Sequence, residues 1–160
     1  MTTAHDFTFT SIEGKPLPLS EFTGKTVLLV NTASACGLTP QYEGLQKLWD
    51  AKSQDGLVVL GVPSNDFGAQ EPGSEAEVQS FCQVRYGVTF PLTSKNPVTG
   101  KDAHPLYKWI AEQTGDAGLP KWNFHKYLIG KDGSLLGTFG SMTAPDAPEL
   151  TSAIDTALMG

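Results

Sequence analysis

The chain has 160 residues, enough for about one domain, expected to span 1–160, and to bury most of its apolar surface. Its net charge is -6, and Arg85 is the single arginine among 11 basic residues, which excludes the clustered cationic face that nucleic-acid binding needs. The apolar runs are too short to cross a bilayer, and MTTAHDFTFTSIEGK lacks a basic stretch followed by an apolar one.

Two cysteines with no dense spacing suit a reducing compartment in which thiols do chemistry, so a cytoplasmic location is expected. FTFTSIEGKPLPL (7–19) reads as a β-hairpin around Glu13-Gly14. KTVLLVNTA (25–33) is a continuous apolar run, the pattern of a strand buried on both faces. From Thr39 to Ser53, Tyr42, Leu45, Leu48 and Trp49 recur at helical spacing, with Gly56 as a stop. LVVLGVP (57–63) is a second buried strand, ended by Pro63. A helix over 74–86 opens on a capping box, Ser74 and Glu77, and lines up Val78, Phe81, Cys82 and Arg85.

GVTFPL (87–92) reads as a short strand, and HPLYKWIAEQT (104–114) as a helix with Pro in its first turn. The stretch 125–139 reads as a hairpin around Asp132-Gly133, and Leu150, Ile154 and Leu158 mark a closing helix from about Asp146. Two buried strands joined by a helix run parallel with a right-handed crossover. The late hairpin adds antiparallel strands to the same sheet. The expected fold is α/β and thioredoxin-like, a mixed sheet flanked by helices.

Cys36 falls in NTASACGLTPQY, between a buried strand and a helix. Free N–H groups and the helix dipole at such a junction favour thiolate over thiol, and the thiolate is the nucleophile. Most free cysteines are small buried hydrophobes. Here Gly37 and the polar Ser34, Thr39 and Gln41 favour the reactive reading. Thioredoxins place C-x-x-C at this junction, whereas this chain has C-G-L-T. Exchange within one motif is thereby excluded, and attack on an outside substrate is not.

NTASACGLTPQYEGLQKLW, LVVLGVPSNDFGAQEPGS, YGVTFPL, HPLYKWI and WNFHKYLIGKDG, in this order, resemble the signature blocks of the glutathione peroxidase family in its cysteine form. The resemblance runs from about Phe7 to Leu158. It implies a thiol-dependent peroxidase that reduces hydrogen peroxide and organic hydroperoxides without a cofactor. It also implies a tetrad of Cys36, Gln70, Trp122 and Asn123. The indole N–H and the two amides are donors that stay neutral. Aimed at the sulfur they lower its pKa, and aimed at the peroxide they stabilise the leaving oxygen. VPSNDF departs from the family's FPCNQF: Ser64 stands for a cysteine, and Asp66 for a glutamine outside the tetrad. A charge on Asp66 beside the site would oppose thiolate formation.

Cys82 is either a buried helix residue or, as the resemblance implies, the cysteine that resolves Cys36. The implied reductant is thioredoxin, or glutathione acting directly; a redox sensor that oxidises a partner protein is the alternative from another class. His5, His104 and His125 show no ligand spacing, so no metal is expected. His125 reads as a surface histidine, or as a support for Asn123 two residues before it. The short segment between 114 and Trp122 has no room for the insertion through which tetrameric members of that family assemble, so the resemblance implies a monomer, with a weak dimer as the alternative.

Overall fold

The computed structural model describes residues 2–115 and 118–160. The opening hairpin pairs β1 (Thr8–Thr10) with β2 (Pro16–Pro18) as a two-stranded sheet of its own. The central sheet has four strands, β3 (Thr26–Thr32), β4 (Leu57–Pro63), β5 (Lys126–Ile129) and β6 (Leu135–Phe139), in the order β4-β3-β5-β6. β3 and β4 run parallel, joined through α1 (Gln41–Lys52). β5 and β6 add antiparallel pairings, with a bulge between Leu128 and Ile129. This is the mixed sheet that the periodicities predict.

Every residue of β3 and β4 is buried, because side chains alternate into two cores. Leu28, Val30, Val59 and Leu128 face one side, under Tyr42, Leu45 and Leu48 of α1, Val78 and Cys82 of α2 (Glu75–Tyr86), and Leu150 and Ile154 of α4 (Pro148–Met159). Val27, Leu29, Val58, Leu60 and Tyr127 face the other side, under Leu106, Tyr107, Trp109 and Ile110 of α3 (Pro105–Thr114) and the hairpin's Phe9. Each fully buried aliphatic side chain contributes about 1.5–3 kcal/mol of transfer free energy, so the two cores hold the layers together.

The helix boundaries follow local chemistry. α2 begins with the reciprocal cap: the Glu77 N–H donates to Ser74 Oγ at 3.3 Å, and the Ser74 N–H to Glu77 Oε1 at 3.1 Å. It ends at Gly87, whose φ of 61° is the left-handed region that glycine enters freely. After α1 a short 3-10 turn leads to Gly56, likewise left-handed.

GVTFPL is not a strand. Gly87 turns the chain out of α2, and Pro91 has no N–H for a ladder, so the contact with β4 shrinks to a bridge between Gly61 and Leu92. Its two hydrogen bonds run from the Gly61 N–H to Pro91 O at 3.0 Å and from the Thr93 N–H to Gly61 O at 2.9 Å. Gly61 is required there: a Cβ would lie 2.6 Å from Leu92 Cδ2.

Candidate active site

Cys36 stands in a run of tight turns between the end of β3 at Thr32 and the start of α1 at Gln41. Its O accepts the Thr39 N–H at 3.0 Å, and further bonds of the same span follow from Leu38 O, Thr39 O and Pro40 O into α1. The helix proper thus starts two residues later than the periodicity predicts. The donor that reaches the sulfur belongs to the turn: the Leu38 N–H meets Cys36 Sγ at 3.3 Å. Thr39, at the place of a second thioredoxin cysteine, braces the turn. Its Oγ1 accepts the Cys36 N–H at 3.0 Å and donates to Ala33 O at 2.8 Å. Cys36 is 8% exposed and touches the α1/α2 core, so one side of the sulfur environment is apolar.

Gln70 comes to this turn from the loop after β4. Its O accepts the Ala35 N–H at 3.0 Å, and its Oε1 accepts the Asn123 Nδ2–H at 2.9 Å. That second bond leaves the Gln70 amide N–H₂ uncommitted to Asn123. Asn123 is fully buried, and its Oδ1 has no hydrogen-bond partner. The next residue, Phe124, takes a left-handed φ of 66°, and its N–H donates to Asn31 O at 2.6 Å. Asn31 Nδ2 donates to Trp122 O at 3.0 Å, so one polar residue within β3 grips the chain on both sides of Asn123. Trp122 is 38% exposed and lies against Phe67, ring centroids 5.8 Å apart. A Cβ on Gly68 would meet its ring at 3.2 Å, so glycine makes room for the indole.

The structure therefore assembles Gln70, Asn123 and the turn of Cys36 into one bonded unit and sets Trp122 on its rim. Cys82 is placed differently. It lies on α2, wholly buried in the core that Cys36 touches, and both cysteines are free thiols. Burial pushes the Cys82 thiol up to about 11; the Tyr42 hydroxyl beside it pulls down and Glu71 adds to the rise.

Three further residues singled out in the sequence have defined places, and one expectation, that for His125, changes. Asp66 Oδ2 accepts the Val98 N–H at 2.7 Å, the Thr99 N–H at 3.0 Å and the Thr99 hydroxyl at 3.1 Å. Ser64 is buried, and its Oγ accepts the Asp66 N–H at 3.3 Å. His125 is no surface residue. It is 6% exposed and stacks at a tilt on Tyr127 with centroids 4.9 Å apart; burial, helped by Lys126 and Lys121, lowers its pKa to about 4. The sequence reading also missed Asn31 and Glu71. Asn31 could have been found as the one amide inside VLLVNTA, and Glu71 as an acid directly after Gln70.

Comparison with known proteins decides the family. The glutathione peroxidase family model matches residues 4–111, more than half of the chain. The chain belongs to the glutathione peroxidase family. A hydroperoxy fatty acid reductase of Synechocystis sp. is 44% identical over 152 residues, covering 90% of each chain. A glutathione peroxidase-like peroxiredoxin of Schizosaccharomyces pombe is 45% identical over 136 residues, covering 84% of this chain and 86% of its own. The crystal structure of Trgpx in apo form superposes with a TM-score of 0.80 at 39% identity, covering 99% of this chain and 97% of that one. A thioredoxin-family thiol:disulfide interchange protein of Chlorobium tepidum, at 17% identity and a TM-score of 0.67 over 98% of this chain and 96% of its own, shares the fold.

As a family member carrying cysteine at position 36, the chain is a thiol-dependent peroxidase with a thioredoxin-like fold. The family match includes Cys36, Gln70 and Cys82 and stops short of Trp122 and Asn123. Among the described residues no helix is long and apolar enough to cross a membrane, and no group of three His, Cys, Asp or Glu could hold a metal ion.

Proposed function

We propose that Cys36 is the peroxidatic residue, working with Gln70, Trp122 and Asn123. The Cys36 thiolate attacks the nearer peroxide oxygen. The O–O bond breaks, water or an alcohol leaves with a proton, and Cys36 becomes a sulfenic acid. The observation that carries this reading is the double use of Gln70, bonded through its main chain to Ala35 and through its side chain to Asn123. It ties two distant segments to the residue beside Cys36. Neutral amides and an indole so gathered can stabilise negative charge on sulfur and on the leaving oxygen without adding a charge of their own. The Synechocystis relative, named for reducing hydroperoxy fatty acids, supports organic hydroperoxides among the substrates. Turnover of hydrogen peroxide and of a fatty acid hydroperoxide by wild type and Cys36→Ser tests the assignment; residual turnover above a few per cent of wild type overturns it.

Regeneration runs through Cys82 and thioredoxin on this reading. Cys82 attacks the sulfenic sulfur; an S–S bond forms, the S–O bond breaks, and the oxygen leaves as water. Thioredoxin then reduces a protein disulfide. Glutathione carries two carboxylates, which arginine forks bind best. The only arginine, Arg85, lies exposed on α2 with its guanidinium 5.8 Å from the Phe81 ring centroid, and the net charge of -6 repels an anionic tripeptide. The expected result is a higher kcat/KM with thioredoxin than with glutathione, lost in Cys82→Ser. Equal rates with glutathione would favour the one-cysteine reading.

A further inference from the structure

Lys126 opens β5, three residues after Asn123, and it is wholly buried. Among the described residues the ion pairs join Lys47 to Glu43 and Lys52 to Asp155, so its ammonium has no carboxylate partner. A buried ammonium without a counter-charge is costly, and burial lowers its pKa to about 8. An apolar side chain would fill the same space without that cost, so packing alone does not account for a lysine here. Its Nζ instead reaches back along the chain and donates to Phe124 O at 2.7 Å. That carbonyl belongs to a strained point of the backbone. Phe124 has a left-handed φ of 66°, which a bulky residue holds only where its surroundings enforce it. The Phe124 N–H donates to Asn31 O at 2.6 Å, and Asn31 Nδ2 donates to Trp122 O at 3.0 Å. These two bonds fix the chain up to the Phe124 nitrogen and leave the carbonyl beyond it to Lys126. Asn123, held between them, donates from Nδ2 to Gln70 Oε1 at 2.9 Å, and Gln70 O accepts the Ala35 N–H at 3.0 Å. Hydrogen bonds and the short stretch 123–124 thus connect the ammonium to the residue beside Cys36.

We propose that Lys126 is a positioning residue for peroxide reduction: by holding Phe124 O it maintains the left-handed turn at 124, and with it the alignment of the Asn123 amide on Gln70 and the Cys36 turn. This rests on the reading that Asn123 supports Cys36. The role is indirect. No bond or proton is exchanged at Lys126, and its effect on the reaction passes through Asn123. The buried charge is tolerated because a backbone turned this way beside the site needs a donor that the rest of the chain does not supply.

A double-mutant cycle on the full chain tests this, with stopped-flow oxidation of Cys36 by hydrogen peroxide as the readout. Lys126→Met keeps most of the side chain's bulk and removes the donor. It should slow Cys36 oxidation by on the order of tenfold, within the roughly 10²-fold that a misplaced group can cost. Asn123→Ala should be slower still. The double variant should be no slower than Asn123→Ala alone, because Lys126 acts through that amide. A lysine that only packs would give no effect of its own, or one that multiplies with the other. If Lys126→Met does not fold, Lys126→Gln, whose side chain ends one bond shorter, takes its place in the same cycle with the same expectation. Wild-type oxidation in the Lys126 variant, or a double variant slowed by the product of the two single effects, overturns the role of Lys126 alone. Wild-type oxidation in Asn123→Ala overturns the reading beneath it, and the proposal with it.

Discussion

The two cysteines occupy opposite kinds of surroundings. Cys36 sits in irregular turns where a main-chain N–H points at its sulfur and where the Gln70 main chain, its side chain bonded to Asn123, ties on at Ala35. Cys82 sits inside a capped helix, wholly buried, with its thiol pushed up to about 11. Identical side chains are thus held in unlike readiness. Backbone donors that a regular helix would consume internally are free to serve the first sulfur. The second is kept protonated and wholly buried, which suits the resolving role proposed for it.

The sharpest way to break this contrast is to remove the first thiol. Cys36→Ser should abolish peroxide consumption, because Cys82 is neither ionised nor exposed enough to substitute. Appreciable peroxide turnover in that variant would show Cys82 to be the reactive one. Next in size, Asn123→Ala and Gln70→Ala should each slow the first step by on the order of 10²-fold, the usual cost of losing an oriented donor. Stopped-flow measurement of Cys36 oxidation checks this; wild-type rates at unchanged stability would leave the amides as packing.

A comparison of reactivity needs no variant. With a pKa of about 11, only about one Cys82 in 10⁴ is ionised at pH 7. Iodoacetamide should therefore label Cys36 first, and Cys82 only when α2 opens or the protein unfolds. Peptide mapping over time reads the order, and equal labelling rates would erase the distinction. The smallest effect is on stability: Cys82→Ala should cost on the order of 1 kcal/mol through the small cavity left behind. Chemical denaturation measures it, and no loss at all would show that Cys82 packs more loosely than its burial suggests.

Most elements were legible because their signals are local. Ser74 and Glu77 announce the start of α2, Gly56 the end of the first helical stretch, and the apolar runs at 25–33 and 57–63 the two central strands. The departure at 87–92 is also local: Pro91 removes a ladder donor, which outweighs the strand-favouring Val88, Thr89, Phe90 and Leu92 around it. What stayed hidden depends on distant packing. Nothing near His125 in sequence shows that it will be only 6% exposed, and nothing near Asp66 shows that the 98–99 main chain will occupy its carboxylate. Glu71 looks like any acid before a proline, yet in the fold it is 1% exposed. At the candidate site, Cys36 could be singled out from its own surroundings, whereas Gln70, Trp122 and Asn123 could be named only through resemblance, since amides and indoles announce no role by themselves.

The double attachment of Gln70 has a consequence for tolerance to change. One residue carries both the tie to Ala35 and the tie to Asn123, so the two ties are not set independently. Its neighbour Ala69 already lies at a left-handed φ of 51°, which leaves the loop little slack. Because Asn31 holds the chain on both sides of Asn123 to β3, a displacement of this loop by a distant substitution would strain both ties at once. Drift among sequences should then spare the loop after β4, with the Gln70–Asn123 pair changing together or not at all.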